Sequence, residues 1–250
     1  MNADSATGFM LVDHDTVTST NDEALRLARD GALAWTIVRA RSQSAGRGRR
    51  GRSFVSPPGN SYTSFIVRSE RSAETVAQLA LVAGLAVAEA LEHVVPTLPK
   101  PMCKWPNDVL VEGHKICGIL VESSVKGVTV DVAIVGIGMN LVSHPEIEGE
   151  RIGNVLQLSG ITLDRDTWLH ALAAALRRRV EAWEERDFAA VRDAVISRSA
   201  GLNRLVSVVD SKTVRGRFVG LDTDGALIVK DDGGVHHRCV SGSLVLEEGP

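Results

Sequence analysis

SAGRGRRGRSFVSPPG occupies residues 44–59, and the fold turns on how it is read. Gly46, Gly48 and Gly51 have the G-x-G-x-x-G spacing of a dinucleotide-binding turn. Such a turn must open directly into a helix, because the helix N-terminus holds the pyrophosphate. Here the glycines run into SFVSPPG, and Pro57, Pro58 and Gly59 forbid a helix. The context for a doubly wound parallel sheet is missing, and no G-x-x-x-x-G-K-[ST] occurs anywhere in the chain. What remains is charge. Arg47, Arg49, Arg50 and Arg52 set four guanidiniums within seven residues, on glycines that let the backbone approach a ligand closely. Guanidinium forks bind carboxylate or phosphate through paired hydrogen bonds, so the loop is suited to hold two anions together against their repulsion.

Working outward, STNDEALRLARDG (19–31) reads as a short helix, with Thr20 and Glu23 at capping-box spacing and Gly31 as its stop. WTIVRA (35–40) is a buried strand that delivers the chain into the arginine loop. SYTSFIVRS (61–69) is a strand, and residues 74–94 form a long apolar helix. Between 102 and 140 come CKW, VLV, ICGILVESS and VTVDVAIVGIG, separated by the turn signals PND, EGH and KG. Spacing this short means antiparallel hairpins, not crossover helices. Leu169, Leu172, Leu176, Val180 and Trp183 then line one face of a second helical zone at 166–186. From Leu202 onward the texture changes to short strands with turns at 210–211, 222–225 and 231–234, which predicts a small β-barrel. The expected class is α+β: a mixed, largely antiparallel sheet backed by helices over 1–200, with the barrel at 201–250.

A net charge of −3 with 44% apolar and 24% charged residues describes a globular chain, so the basic loop is a local anion site and not a general polyanion surface. Three widely spaced cysteines give no disulfide framework and suit a reducing compartment. Cys103 and Cys117 lie in strands and read as small apolar residues. The first residues lack a signal-peptide pattern, and LALVAGLAVA (79–88) is too short to span a bilayer. A cytoplasmic protein without membrane attachment is expected. HHRC (236–239) is explained by strand alternation and needs no metal.

GRGRRGR (46–52), KWPNDV (104–109), KICGIL (115–120) and GIGMNL (136–141) resemble the signature blocks of the biotin protein ligases. STN at 19–21 and QSAG at 43–46 fall in the expected order, and the resemblance spans roughly 16–245. It implies the fold shared by biotin ligases and class II aminoacyl-tRNA synthetases, with an SH3-like C-terminal barrel. It also implies an enzyme that joins biotin to ATP with Mg2+, holds biotinyl-5′-AMP, and passes biotin to one lysine of a biotin carboxyl carrier protein domain.

By that resemblance Ser19, Thr20, Asn21 and Gln43 meet the ureido end of biotin. Gly46, Arg47, Gly48 and Arg49 close over its carboxylate and the adenylate phosphate, beside Lys115 and Gly118. Arg49, Arg52, Phe54, Lys104, Asn107, Lys115 and Asn140 meet the nucleotide, and Asp108 meets the magnesium. Arg47, Arg49 and Lys115 stabilise the charge of the reaction. Plainer readings stand beside these. Ser19–Asn21 is also a helix cap, Lys115 an exposed lysine after a turn, Asn107 and Asp108 turn formers, and Asn140 a strand end. Phe54 stands where the family often has a tryptophan that stacks on adenine.

Two rivals differ in class. A lipoate protein ligase would use similar acyl-adenylate chemistry, whereas a nucleic-acid-binding module would grip phosphates with the loop and the barrel. Six basic against seven acidic residues from Leu202 onward argue against the second. The residues before Ser19 are too few for a helix-turn-helix, so a ligase without DNA binding is expected, as a monomer or homodimer.

Overall fold

The computed structural model describes residues 2–4 and 9–247. Strand β1 (Asn2–Asp4) and strand β2 (Phe9–Val17) lead into helix α1 (Thr20–Arg29), then strand β3 (Thr36–Gln43) and the arginine loop. The proline-bearing stretch after the loop stays irregular, as its sequence requires, up to β4 (Ser61–Val67). Helix α2 (Gln78–Val94) follows, then β5 (Met102–Lys104), β6 (Asp108–Val111), β7 (His114–Lys126) and β8 (Thr129–Met139). Helices α3 (Val155–Ser159), α4 (Arg165–Arg186) and α5 (Ala189–Ser197) precede β9 (Leu205–Val209), β10 (Thr213–Leu221), β11 (Leu227–Lys230), β12 (His236–Cys239) and β13 (Ser243–Leu246).

Eight strands form one sheet in the order β1-β2-β3-β4-β8-β7-β6-β5. Only β2 and β3 run parallel; every other neighbouring pair is antiparallel, so the mixed, largely antiparallel sheet is as expected. The hairpins at 102–140 are all present. Glu112 and Gly113 both take left-handed φ, 49° and 80°, as the two-residue turn between β6 and β7 demands.

The two faces of the sheet differ. Its back face, with Phe65, Ile119, Val135 and Ile137, packs on α2, and α4 lies over α2. Leu169, Leu172, Leu176, Val180 and Trp183 are all buried, together with Trp168. On the front face, Ala24 and Ala28 of α1 close a smaller cluster with Val38, Ile66, Val132 and Ile134. That helix covers only one half of the front, which leaves the other half open for a site.

Three expectations are corrected. The capping box does not form: Ser19 is the N-cap without a side-chain bond, Glu23 holds Arg26 at 2.7 and 2.9 Å, and Thr20 N–H turns to Gln43. The long apolar helix begins at Gln78, because Ser72 caps a separate short turn at Ala73–Thr75. The C-terminal strands form an antiparallel sheet, β12-β11-β10-β9-β13, that does not close into a barrel. Closure is not needed to hide its apolar face. Val206, Val208, Phe218, Leu227 and Leu244 join the main core, and Trp105 Nε1 donates to Gly225 O at 3.1 Å.

Helices α2 and α4 are also clamped by charge. Arg178 and Arg179 both reach Glu89, each with one bond of 3.0 Å. Burial alone would raise the Glu89 carboxyl, but the two guanidiniums outweigh it and hold the group below the ordinary range. A lowered folded-state value means stability present above the unfolded value and lost as pH falls through the folded one. Glu89→Gln is expected to lower stability by about 1–3 kcal/mol at neutral pH. In denaturant titrations at several pH values, that deficit should begin to narrow below pH 4.5, the ordinary glutamate value, and close once pH has fallen through the lower folded-state value.

Candidate active site

The open front of the sheet is floored by bare backbone. Gly118 on β7 pairs with Gly138 on β8, which pairs with Tyr62 on β4; one step along, Leu120, Gly136 and Ser64 are aligned in the same way. A Cβ on Gly136 would lie 2.2 Å from Asn21 Oδ1. One on Gly138 would lie 2.5 Å from the Phe54 ring, and one on Gly118 would lie 3.1 Å from it. These glycines let the start of α1 and the end of the arginine loop rest directly on the sheet. Above them is a cavity of about 640 Å³.

One end of the cavity is neutral and polar. Thr20 donates to Gln43 Oε1 from its N–H at 2.8 Å and from its hydroxyl at 3.1 Å, while Gln43 Nε2 donates to Ser56 Oγ at 2.9 Å. Ser64 Oγ lies 2.8 Å from Thr20 Oγ1 and donates to Asn21 Oδ1 at 2.6 Å. Asn21 Nδ2 donates to Glu122 at 2.7 Å and to Leu120 O at 3.3 Å. Each orientation in this chain is fixed by the next, so the groups are preorganised.

The other end is cationic. The loop closes on itself through Gly48 N–H to Arg52 O at 2.7 Å and Phe54 N–H to Gly46 O at 2.8 Å. Arg47 pairs with Asp22 at 2.6 Å and Glu122 at 2.8 Å. Arg52 pairs with Glu150 at 3.5 Å, Arg50 with Asp210 at 2.8 Å, and Lys115 with Asp108 at 2.8 Å. Arg49 is the exception. Its Nη1 reaches only the neutral oxygens Asn107 Oδ1, at 3.2 Å, and Gly242 O, at 3.4 Å; no carboxylate among the described residues pairs with it. Burial, with the nearby Arg50 charge, pulls its guanidinium below the usual arginine range. A half-buried cation without a counter-ion, at the wall of a cavity, is an anion site.

Every residue expected at the site borders this cavity except Gly46, which lies buried beneath the loop. A Cβ there would come within 2.4 Å of Phe54 O. Asn107 is braced by its donation to Ile119 O at 2.7 Å, and Asn140 by its donation to Gly153 O at 3.0 Å. Phe54 stands edge-on to Tyr62, with ring centroids 6.4 Å apart. The Tyr62 hydroxyl donates to Pro57 O at 2.7 Å, and burial pushes it up to about 12.

Sequence reasoning missed Gly136, Gly138, Tyr62 and Glu122. The two glycines carried a usable signal, since G-x-G on a strand clears one face of all side chains. Glu122 carried none, because its partners Asn21 and Arg47 are 101 and 75 residues away. Cys117 borders the cavity, but burial pushes its thiol well up, so it is no thiolate nucleophile. The arrangement can bind, align and neutralise two anionic groups.

Residues 15–140 match the Biotin/lipoate A/B protein ligase family, and residues 201–246 match the Biotin protein ligase C terminal domain. The chain is 38% identical over 223 residues to the Biotin--[acetyl-CoA-carboxylase] ligase of Paracoccus denitrificans, covering 86% of this chain and 92% of that one. Its structure is similar to that of the biotin protein ligase from Aquifex aeolicus in complex with biotin and ATP. There the TM-score is 0.81 at 28% identity, over 96% of this chain and 99% of the other. The Leishmania major biotin protein ligase in complex with biotinyl-5-AMP gives a TM-score of 0.67 at 25% identity, over 93% and 99%. Similarity that runs through both sheets at these levels shows that the chain belongs to the biotin protein ligases.

Proposed function

We propose that this chain activates biotin with ATP to biotinyl-5′-AMP and transfers the biotinyl group to a lysine of a biotin carboxyl carrier protein domain. The observation that carries this reading is Arg49, a half-buried guanidinium without a carboxylate partner, between a neutral hydrogen-bonding pocket and Lys115. Ser19, Thr20, Asn21 and Gln43 take the ureido group, and the glycine floor accepts the flat ring system. The biotin carboxylate attacks the α-phosphorus of ATP and pyrophosphate leaves. Arg49 and Lys115 then hold the charge that gathers on the phosphorus oxygens. Arg47 joins them by exchanging Asp22 and Glu122 for the ligand. In the second step the lysine amine attacks the acyl carbon and AMP leaves. No protein nucleophile is required; alignment and electrostatics do the chemistry.

Arg52, Phe54, Lys104, Asn107 and Asn140 take the nucleotide. Phe54, seated on Gly118 and Gly138, presents its outer face to the base. Magnesium suits the donor set: Asp108 Oδ1 is buried and accepts no hydrogen bond of good geometry, although Lys115 Nζ is 2.8 Å away. One carboxylate plus phosphate oxygens is how this ion is commonly held, and it would supply charge neutralisation there. Residues 1–200 carry the chemistry, and residues 201–250 form the accessory unit. Among the described residues no helix is long and apolar enough to cross a membrane, and we place the activity in the cytoplasm.

The test is exchange of labelled pyrophosphate into ATP with biotin or lipoate as the acid. Biotin alone should support exchange, with biotinyl-5′-AMP detectable by mass spectrometry; exchange with lipoate only would sink the reading.

A further inference from the structure

Three of the loop arginines have a ligand role in the proposal above; Arg50 has none. Its backbone takes left-handed φ 56° and ψ 34°, which a residue with a Cβ disfavours, so something outside the loop must hold it. Its Nη2 donates to Asp210 Oδ1 at 2.8 Å, and Asp210 lies in the turn between β9 and β10 of the C-terminal sheet. The other Asp210 oxygen accepts from Ser241 Oγ, in the turn between β12 and β13. The next residue, Gly242, offers its carbonyl to Arg49 Nη1 at 3.4 Å. Gly242 sits at φ 135°, and a Cβ there would lie 2.7 Å from Val208 Cγ1, so that carbonyl is aimed by a conformation reserved for glycine. Two turns at the same end of the C-terminal sheet, where Ser243 pairs with Val209, therefore converge on the tip of the arginine loop.

We propose that Asp210, set in place by Ser241, is a positioning residue that holds the loop over the cavity through Arg50 and so governs how long the acyl-adenylate is retained. The inference rests on the function proposed above. It gives the C-terminal sheet a part in the first half-reaction, as one jaw of the closure, separate from any contact with the carrier.

The test is the escape rate of preformed biotinyl-5′-AMP from the intact chain, followed by dilution into unlabelled intermediate. Asp210→Asn keeps the side-chain volume and removes the charge, and should speed escape about two- to fivefold, the range of a partly exposed ion pair. Arg50→Gln, which leaves the C-terminal sheet untouched, should give the same increase. The double variant should add nothing further, because both lose one interaction. The charge-swapped pair Arg50→Asp with Asp210→Arg should recover slow escape. Raising the salt should shrink the gap between wild type and Asp210→Asn, an effect that a packing role would not produce. Escape from Asp210→Asn at the wild-type rate, or additive effects of the two single variants, would overturn the proposal. A wild-type chain that makes no acyl-adenylate would overturn the function beneath it, and this inference too.

Discussion

Arg49→Gly is expected to release the acyl-adenylate about 10- to 150-fold faster than wild type while leaving the thermal midpoint unchanged or higher. A hydrogen bond to a charged partner contributes about 1.5–3 kcal/mol, and each 1.36 kcal/mol is tenfold in rate, which gives that magnitude. The stability half of the expectation has the opposite sign for a physical reason. In the ligand-free chain Arg49 is partly desolvated and bonded only to Asn107 Oδ1 and Gly242 O, and the Asp108 and Asp210 charges farther off do not make up for its burial. Deleting that charge relieves the burden. Arg47→Gly should behave differently, because it breaks the ion pairs with Asp22 and Glu122 and ought to lower the midpoint slightly. The measurement pairs single-turnover retention of labelled intermediate with scanning calorimetry, and escaped intermediate should also label bystander proteins. Retention unchanged in Arg49→Gly would remove the anion site from the mechanism.

Gly136→Ala is expected to weaken biotin binding about 10- to 100-fold in calorimetric titration, the consequence of roughly 1–3 kcal/mol of overpacking. The added Cβ would stand 2.2 Å from Asn21 Oδ1, and Asn21 has little freedom to retreat. Ser64, Glu122 and Leu120 O all hold that side chain, so moving it breaks the polar chain that also orients Thr20 and Gln43. If this account holds, Asn21→Ala combined with Gly136→Ala should bind no worse than Asn21→Ala alone, since the clash is gone. Strict additivity of the two would show that the alanine acts elsewhere.

The hairpins between 102 and 140 were readable because two local rules agree there. Residues alternate along each strand, and Glu112-Gly113 and Lys126-Gly127 mark the reversals. The helix at 166–186 was readable from its stripe of leucines. By contrast, β2 went unnoticed, because FMLVDHDTV is half exposed along much of its length and has no clean alternation. Openness of the C-terminal sheet could not be read from its turns either. Turn spacing specifies strands, whereas closure depends on what else can cover the apolar face, and here α5, Trp105 and the Leu81 flank of α2 lie against it. At the site, residue types in short motifs pointed to the loop, Lys115 and Asn107. The pairing of Arg50 with Asp210 spans 160 residues and leaves no trace in local sequence.

The apolar mass behind the catalytic floor is shared. Phe218, Leu227 and Leu244 from the C-terminal sheet belong to the same interior as Leu85, Trp168 and Trp183, and Gly225 is pressed so close that a Cβ there would lie 2.9 Å from Leu81. Loss of either sheet would therefore uncover apolar surface of the other, which couples their stabilities. A growing chain leaves the Gln78 and Leu81 flank of α2 uncovered until the strands on either side of Gly225 have emerged from the ribosome.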